Sequence, residues 1–425
     1  MTATEPPGWW KSKTTAHHSL LPPEIWFSIF DHATAVPQAL DTHLRDPFDL
    51  PPPLSGRQVQ QKIFDSLATK RFLVRVCKDW YQLASRFLYR EIIIGRGHTL
   101  VSLRSTLLES HRRAEESATQ AEGTKFTPSL GQYTLRFEIA TRILPDLKDA
   151  TVISELETLV DILRCLPNLQ IFIMAEGGGP YHAIKFHVPQ GVLSPLGSHC
   201  GQSLRVIRWD RYPYPTAPQW SQLLQTTPNL RILRFPTLGN RGRLQAGSPL
   251  LNLMSLEGAD SSDALLGTAF PNQIYPSLYY LSISPFLPPT FLLNSYGPQL
   301  TFITITHHIS NETLDLLSTA CPNLTKLVIH FSSPPNFPSR FPKTITHLGL
   351  RCNIGNGNIY DTDARAVFEG LESIEVPNLQ VVRFLDRRCI EFVRHHQLPI
   401  FAWGVDLLAE TRFMIEDCDG VPIRP

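Results

Sequence analysis

One tripeptide limits the folds open to this chain. Pro-Asn-Leu occurs in "CLPNLQIF", "TTPNLRIL", "CPNLTKL" and "VPNLQVV", with weaker copies in "YPSLYYL" and "GPQLTFI". Each copy extends to one template, apolar-x-x-apolar-x-apolar, starting at Leu169, Leu204, Leu230, Leu253, Leu278, Leu300, Leu324, Ile345 and Leu379. Successive starts lie 35, 26, 23, 25, 22, 24, 21 and 34 residues apart. Stretches with helical apolar spacing stand before several copies: "SELETLVDILRCL", "PQWSQLLQ" and "NETLDLLSTA". Ser154 and Glu157 match a capping box. The following Pro disfavours helix in the residue before it, and the Leu then opens a short strand. No helix–strand unit of this size can bury its apolar side alone. The units must stack into one continuous core.

A spacing of 20 to 29 residues is the period of leucine-rich repeats. These copies are degenerate. The fourth has Gly258 at its last apolar position, and the Asn of the ninth template position occurs once, at Asn353. The fourth-position residues Leu233, Leu281, Leu327 and Leu348 are expected in the core. Strand side chains alternate, so the second and fifth positions face away from it. There stand Arg205 with Arg208, and Arg231 with Arg234; Arg383 repeats the fifth position in a distant copy. Crowded like charges destabilise a sheet mildly, and planar guanidinium forks suit carboxylate or phosphate. The four arginines are therefore the candidate substrate-binding patch for an acidic or phosphorylated protein. The alternative is a solvated face partly neutralised by Asp210.

The N-terminal third differs. "LLPPEIWFSIFDHA" opens an amphipathic helix, residues 35 to 57 are rich in Pro and Asp and read as a loop, and a helical block runs from about Gln58 through "RVCKDWYQLASRFL". "YREIIIG" reads as a strand, and the polar residues 109 to 129 as a mobile linker or loop. Leu21-Pro22 followed by Val76-Cys77-Lys78-Asp79-Trp80 resembles the two halves of an F-box, with the expanded loop of many fungal F-box-like proteins between them. The resemblance covers about residues 19 to 95. It implies helices that dock on a Skp1-like adaptor through Leu21, Pro22, Ile25, Ile29, Phe30, Val74 and Trp80. F-boxes followed by degenerate leucine-rich repeats are a known combination.

The expected fold is thus an α-helical F-box followed by an α/β leucine-rich-repeat-like solenoid. The expected parts are a disordered lead (1–18), the F-box with its loop (19–95), a linker and capping region (96–150), the repeats (151–400) and a C-terminal tail or cap (401–425). The implied function is that of a substrate-recognition adaptor in a Skp1–cullin–F-box ubiquitin ligase, reaching a cullin through Skp1. The alternative is a non-catalytic interaction scaffold that acts without a ligase.

Little in the chain points to chemistry. Cys77 lies between cations, but Val74, Cys77, Tyr81 and Ala84 share a helical stripe, so a packing role is expected. "EGGGP" at 176–180 lacks the Gly-Lys-Ser/Thr ending of a phosphate loop. The adjacent pairs His17-His18, His307-His308 and His395-His396 point apart and chelate one metal poorly. Asp361 and Asp363 precede a helix-like run and suit capping. The chain is expected to be no enzyme and to carry no cofactor or metal. A net charge of +1 gives no basic footprint for nucleic acid. Seven scattered cysteines without Cys-x-x-Cys fit a reducing interior, and no apolar run approaches a membrane span. The expected location is cytoplasmic or nuclear.

Overall fold

The computed structural model describes residues 21–96, 98–119, 128–140, 149–175, 190–210, 215–234, 250–257, 275–283, 290–306, 310–331, 341–352 and 361–424. Three helices come first, α1 (Pro23–Thr34), α2 (Gly56–Val76) and α3 (Lys78–Arg90). Strands and helices then interleave. They are β1 (Glu91–Ile94), α4 (His98–Thr119), β2 (Arg136–Ile139), α5 (Asp149–Arg164), β3 (Ile171–Met174), α6 (Gln190–Cys200), β4 (Val206–Trp209), α7 (Ala217–Thr226), β5 (Ile232–Arg234), β6 (Ser255–Glu257) and β7 (Tyr280–Ile283). The series ends with α8 (Thr290–Tyr296), β8 (Phe302–Ile305), α9 (Asn311–Ala320), β9 (Lys326–Phe331), β10 (His347–Cys352), α10 (Asp361–Glu372), β11 (Val381–Phe384), α11 (Arg387–His396), α12 (Leu398–Leu408) and β12 (Met414–Glu416).

The strands form one 12-stranded sheet in sequence order, and every pairing is parallel. This overturns the expected fold class of an α-helical F-box followed by an α/β leucine-rich-repeat-like solenoid. The chain is an α/β fold built on one all-parallel sheet with interleaved helices. Its first strand, β1, lies where the helical module was expected to end. Glu91 to Ile94 pair with Arg136 to Ile139, and Ile92 and Ile94 join the same core as the later strands. The sequence hid this continuity because β1 and β2 carry no Pro-Asn-Leu.

One in-register row crosses the whole sheet: Ile92, Phe137, Phe172, Ile207, Leu233, Leu256, Leu281, Ile303, Leu327, Leu348, Val382 and Ile415. All belong to the main core, together with residues of α4 to α12. Leu233, Leu281, Leu327 and Leu348 are at most 2% exposed. A helix needs 8–10 Å of lateral room and a strand about 4.8 Å. A layer of helices on one face therefore bends the sheet, with the strands on the inside.

The residue before each template Leu does a second job. Asn168, Asn229, Asn252, Asn323 and Asn378 donate their side-chain amides to backbone carbonyls of Gln132, Gln202, Pro228, Pro298 and Lys343 in the preceding turn. Ser203, Ser277 and Gln299 do the same to Pro167, Leu251 and Tyr275. The ninth-position Asn of a typical ladder occurs in the sequence only at Asn353. The Asn of Pro-Asn-Leu itself forms a ladder, one turn earlier.

Other local expectations change. The helical block after Gln58 breaks at Cys77, which closes α2 and caps α3: its Sγ accepts from the Trp80 backbone N–H at 3.4 Å. Cys77 is only half-buried, and Tyr81 is exposed. The cysteine is thus a helix cap, and the expected packing stripe does not form. Residues 109–119 are the end of helix α4, not a linker. Leu100, Leu107 and Ala114 fix it to the core, and Glu109 pairs with Arg112 and Arg113 one turn on. Ser154 lies inside α5, which starts at Asp149, so it caps nothing; its carbonyl accepts from the Thr158 hydroxyl. Asp361 and Asp363 fall in the first turn of α10. The expected lead 1–18, the segment 176–180, Asn353 and the pairs His17-His18 and His307-His308 lie outside the described residues.

Two substitutions separate ladder from core. Asn323→Ala should destabilise by about 1 kcal/mol, one net hydrogen bond. Leu327→Ala should cost about 2–5 kcal/mol through transfer and cavity terms. Chemical denaturation with an unchanged slope checks both.

Candidate protein-docking surfaces

The first surface is the three-helix unit. Ser55 opens α2 with a capping box to Gln58, and Pro23 suits the first turn of α1. Phe30 is 0% exposed and packs with Ala84 and Phe87, flanked by Trp26, Val74 and Trp80. The Phe30 and Trp80 rings meet edge-on at 4.8 Å, and Trp26 and Trp80 lie 5.0 Å apart. Three of the expected docking residues, Phe30, Val74 and Trp80, are therefore brought together inside the unit. Leu21, Pro22, Ile25 and Ile29 stay outside. Leu21, Ile25 and Ile29 are 38%, 45% and 43% exposed, at a spacing of four residues. Phe72, Val76 and Tyr81 add further exposed apolar surface on α2 and α3. A groove of about 460 Å³ lies between this unit and the turn before β2, lined by Phe27, Asp31, Arg86, Arg90 and Tyr133 among others.

The second surface is the inner face of the sheet. Near β1 and β2 it is covered by α2: Lys70 forms a fully buried ion pair with Glu91, and Val59 and Ile63 pack with Ile93 and Ala39. Beyond that, residues 36–54 cross the face. Arg136 donates to the Ala39 carbonyl at 2.9 Å. Arg231 reaches Thr42 at 3.4 Å and His43 at 2.6 Å. Leu44 packs on both apolar patches of the face, Ile171–Ile173–Val206–Ile232 and Tyr280–Phe302–Val328. Asp46 pairs with Lys326. The Phe48 ring meets His347 edge-on at 5.0 Å, and Arg383 donates to the Pro47 carbonyl at 3.1 Å. Gly420, at φ +74°, lies under the far end, where a Cβ would strike Leu50 and approach the Arg383 guanidinium. What the sequence offers as a plain loop is a strap.

The four arginines of the expected patch are distributed around this strap. Arg208 and Arg234 stand side by side in register on β4 and β5. Arg234 is held by Asp210 at 2.6 Å and Glu257 at 3.5 Å. Arg208 has a buried Nε with no hydrogen-bond partner among the described residues. Arg205 precedes its strand and donates to the carbonyls of Gln202 and Leu204; burial, then the neighbouring Arg231, lowers its pKa. Arg231 holds the strap. Arg383 is 3% exposed and paired with Glu416 at 2.6 Å, so it is an internal anchor.

Among the described residues, no group of three or more His, Cys, Asp or Glu could hold a metal, and no helix is long and apolar enough to cross a membrane. Burial pushes the thiols of Cys165, Cys200 and Cys321 up to about 11, 12 and 12, which keeps them protonated at neutral pH. No protein-family model and no curated protein matches the chain.

Under the strap, His347 has its pKa lowered from 6.5. Burial is the main cause, Lys326 and Arg383 add repulsion, and Asp46 and Glu416 oppose it. The unfolded chain therefore binds the proton more readily, so stability rises with pH through this range. The contribution is complete above about pH 6.5 and is lost as pH falls through the folded value. Acidification from pH 7.5 to 5.5 should lower the thermal midpoint, and His347→Gln should remove that part of the decline.

Proposed function

We propose that this chain is the substrate-recognition adaptor of a Skp1–cullin–F-box ubiquitin ligase. Helices α1 to α3 dock on a Skp1-like adaptor, and through it a cullin, while the inner face of the sheet holds a substrate protein. The observation that carries this reading is the division of labour in α1. Phe30 and Trp80 already complete the unit's own core, so the exposed Leu21, Ile25 and Ile29 have no packing role left to fill. Aligned apolar side chains that are unused inside suit a partner's groove. The chain forms no bond itself; it raises the effective concentration of substrate lysines near a ubiquitin-loaded enzyme. The Leu-Pro and Val-Cys-x-x-Trp motifs support the same reading.

Ile25→Asp with Ile29→Asp tests it. Interface anchors cost above about 2 kcal/mol when lost, or roughly thirtyfold in affinity. Capture of a Skp1-like protein should fall by at least that factor, while the thermal midpoint stays put because both side chains are exposed. Trp80→Ala should lower the midpoint as well. If purified wild-type chain shows no affinity for Skp1-like proteins, the ligase reading fails and the scaffold reading replaces it.

A further inference from the structure

All-parallel sheets are almost always covered on both faces. Here helices cover one face, and α2 and the strap lie across the other. Strap and face fit each other as a ligand fits a site. Two apolar side chains, Leu44 and Phe48, sit on apolar or aromatic ground. Asp46 lies between them in sequence and meets Lys326. Arg231 adds contacts to the Thr42 and His43 side chains; Arg136 and Arg383 grip backbone carbonyls, which any extended chain would offer.

Three observations make the strap exchangeable. The main core contains none of residues 35–55, so the strap can leave without opening it. No residue of 36–54 belongs to a strand, so leaving breaks no ladder. The fit is also incomplete: among the described residues, Arg208 Nε and the fully buried Ser255 Oγ on this face have no hydrogen-bond partner. A face carrying Ile171, Val206, Ile232 and Phe302 cannot stand bare in water at low cost, so the exchange is for another occupant.

We propose that the inner face of the sheet is a binding site for an extended acidic peptide with two apolar anchors flanking a carboxylate, and that the chain's own residues 42–50 occupy it as an intramolecular stand-in. The incoming peptide places its carboxylate on Lys326, its anchors where Leu44 and Phe48 lie, and a further acceptor within reach of Arg208. This inference does not depend on what α1 binds.

A tethered occupant acts at an effective concentration of the order of millimolar, and it reduces a competitor's apparent affinity by the fraction of time the site is open. The test uses the full chain alone and a labelled peptide, Thr-His-Leu-Arg-Asp-Pro-Phe-Asp-Leu, followed by fluorescence anisotropy. Leu44→Ser with Phe48→Ser should open the site and tighten peptide binding at least about tenfold over wild type. Lys326→Glu in that background should abolish binding, and a peptide with Lys in place of its central Asp should restore it. The charge exchange guards against a folding artefact, since a misfolded chain would not regain affinity for the reversed peptide. A second variant, Asp46→Lys, weakens the strap without touching its apolar anchors and should also bind more tightly than wild type. If the opened variants keep a cooperative thermal transition yet bind neither peptide, or bind both alike, the strap is a permanent brace and the proposal is wrong.

Discussion

The structure depends on a polar column between turns. At seven successive levels, and again at Asn378 beyond the Ile345 unit, an Asn, Ser or Gln side chain donates to a backbone carbonyl of the turn before. Apolar contact drives stacking but is not directional, and a strand of three or four residues defines its register weakly. A side-chain donor aimed at one carbonyl sets both the rise and the phase of each unit. The unbroken row from Ile92 to Ile415 is what that regularity makes possible.

From the sheet's regularity follows the geometry of its surfaces. Helices on one face force curvature, and the inner face becomes a shallow trough. Its rows are chemically mixed. Ile173, Arg208, Arg234 and Glu257 succeed one another in register, and further on Gly349, Arg383 and Glu416 do the same. Such a face is too polar to be a second core and too apolar in patches to be left open. The strap resolves that conflict: Leu44 covers the apolar ground, and Asp46 neutralises Lys326. It also connects the two surfaces, since it leaves from α1 and returns into α2. A protein docked on the three helices and a peptide that displaces the strap would thus act on the same continuous stretch of chain.

Buried charge ties the unit to the sheet. Lys70 reaches from α2 to Glu91 on β1 with both side chains at 1% exposure or less, and Arg90 also holds Glu91, at 2.7 Å. Such pairs seldom add net stability, but losing one partner strands a buried charge. Their effect here is to fix orientation: the helices that carry Ile25 and Ile29 cannot swing relative to the first strand without uncovering Glu91.

The sequence by itself determined the repeating helix–strand units, the stacked core and its fourth-position leucines, because period and apolar spacing are local properties. It also determined that Arg208 and Arg234 share a strand position. It could not show that β1 and β2 extend the same sheet, since neither carries the Pro-Asn-Leu mark, nor that Cys77 ends one helix and caps the next, since a cysteine in an apolar stripe fits both roles. It could not sort the expected docking residues either: Ile29 and Phe30 are both large apolar neighbours, and only the packing against Trp80 takes one inward and leaves the other exposed. Above all, residues 36–54 are Pro- and Asp-rich and carry no period. Their placement comes from Arg136, Arg231, Lys326, His347 and Arg383, which lie about 97 to 336 residues away along the chain, so only the tertiary structure could turn that loop into a strap.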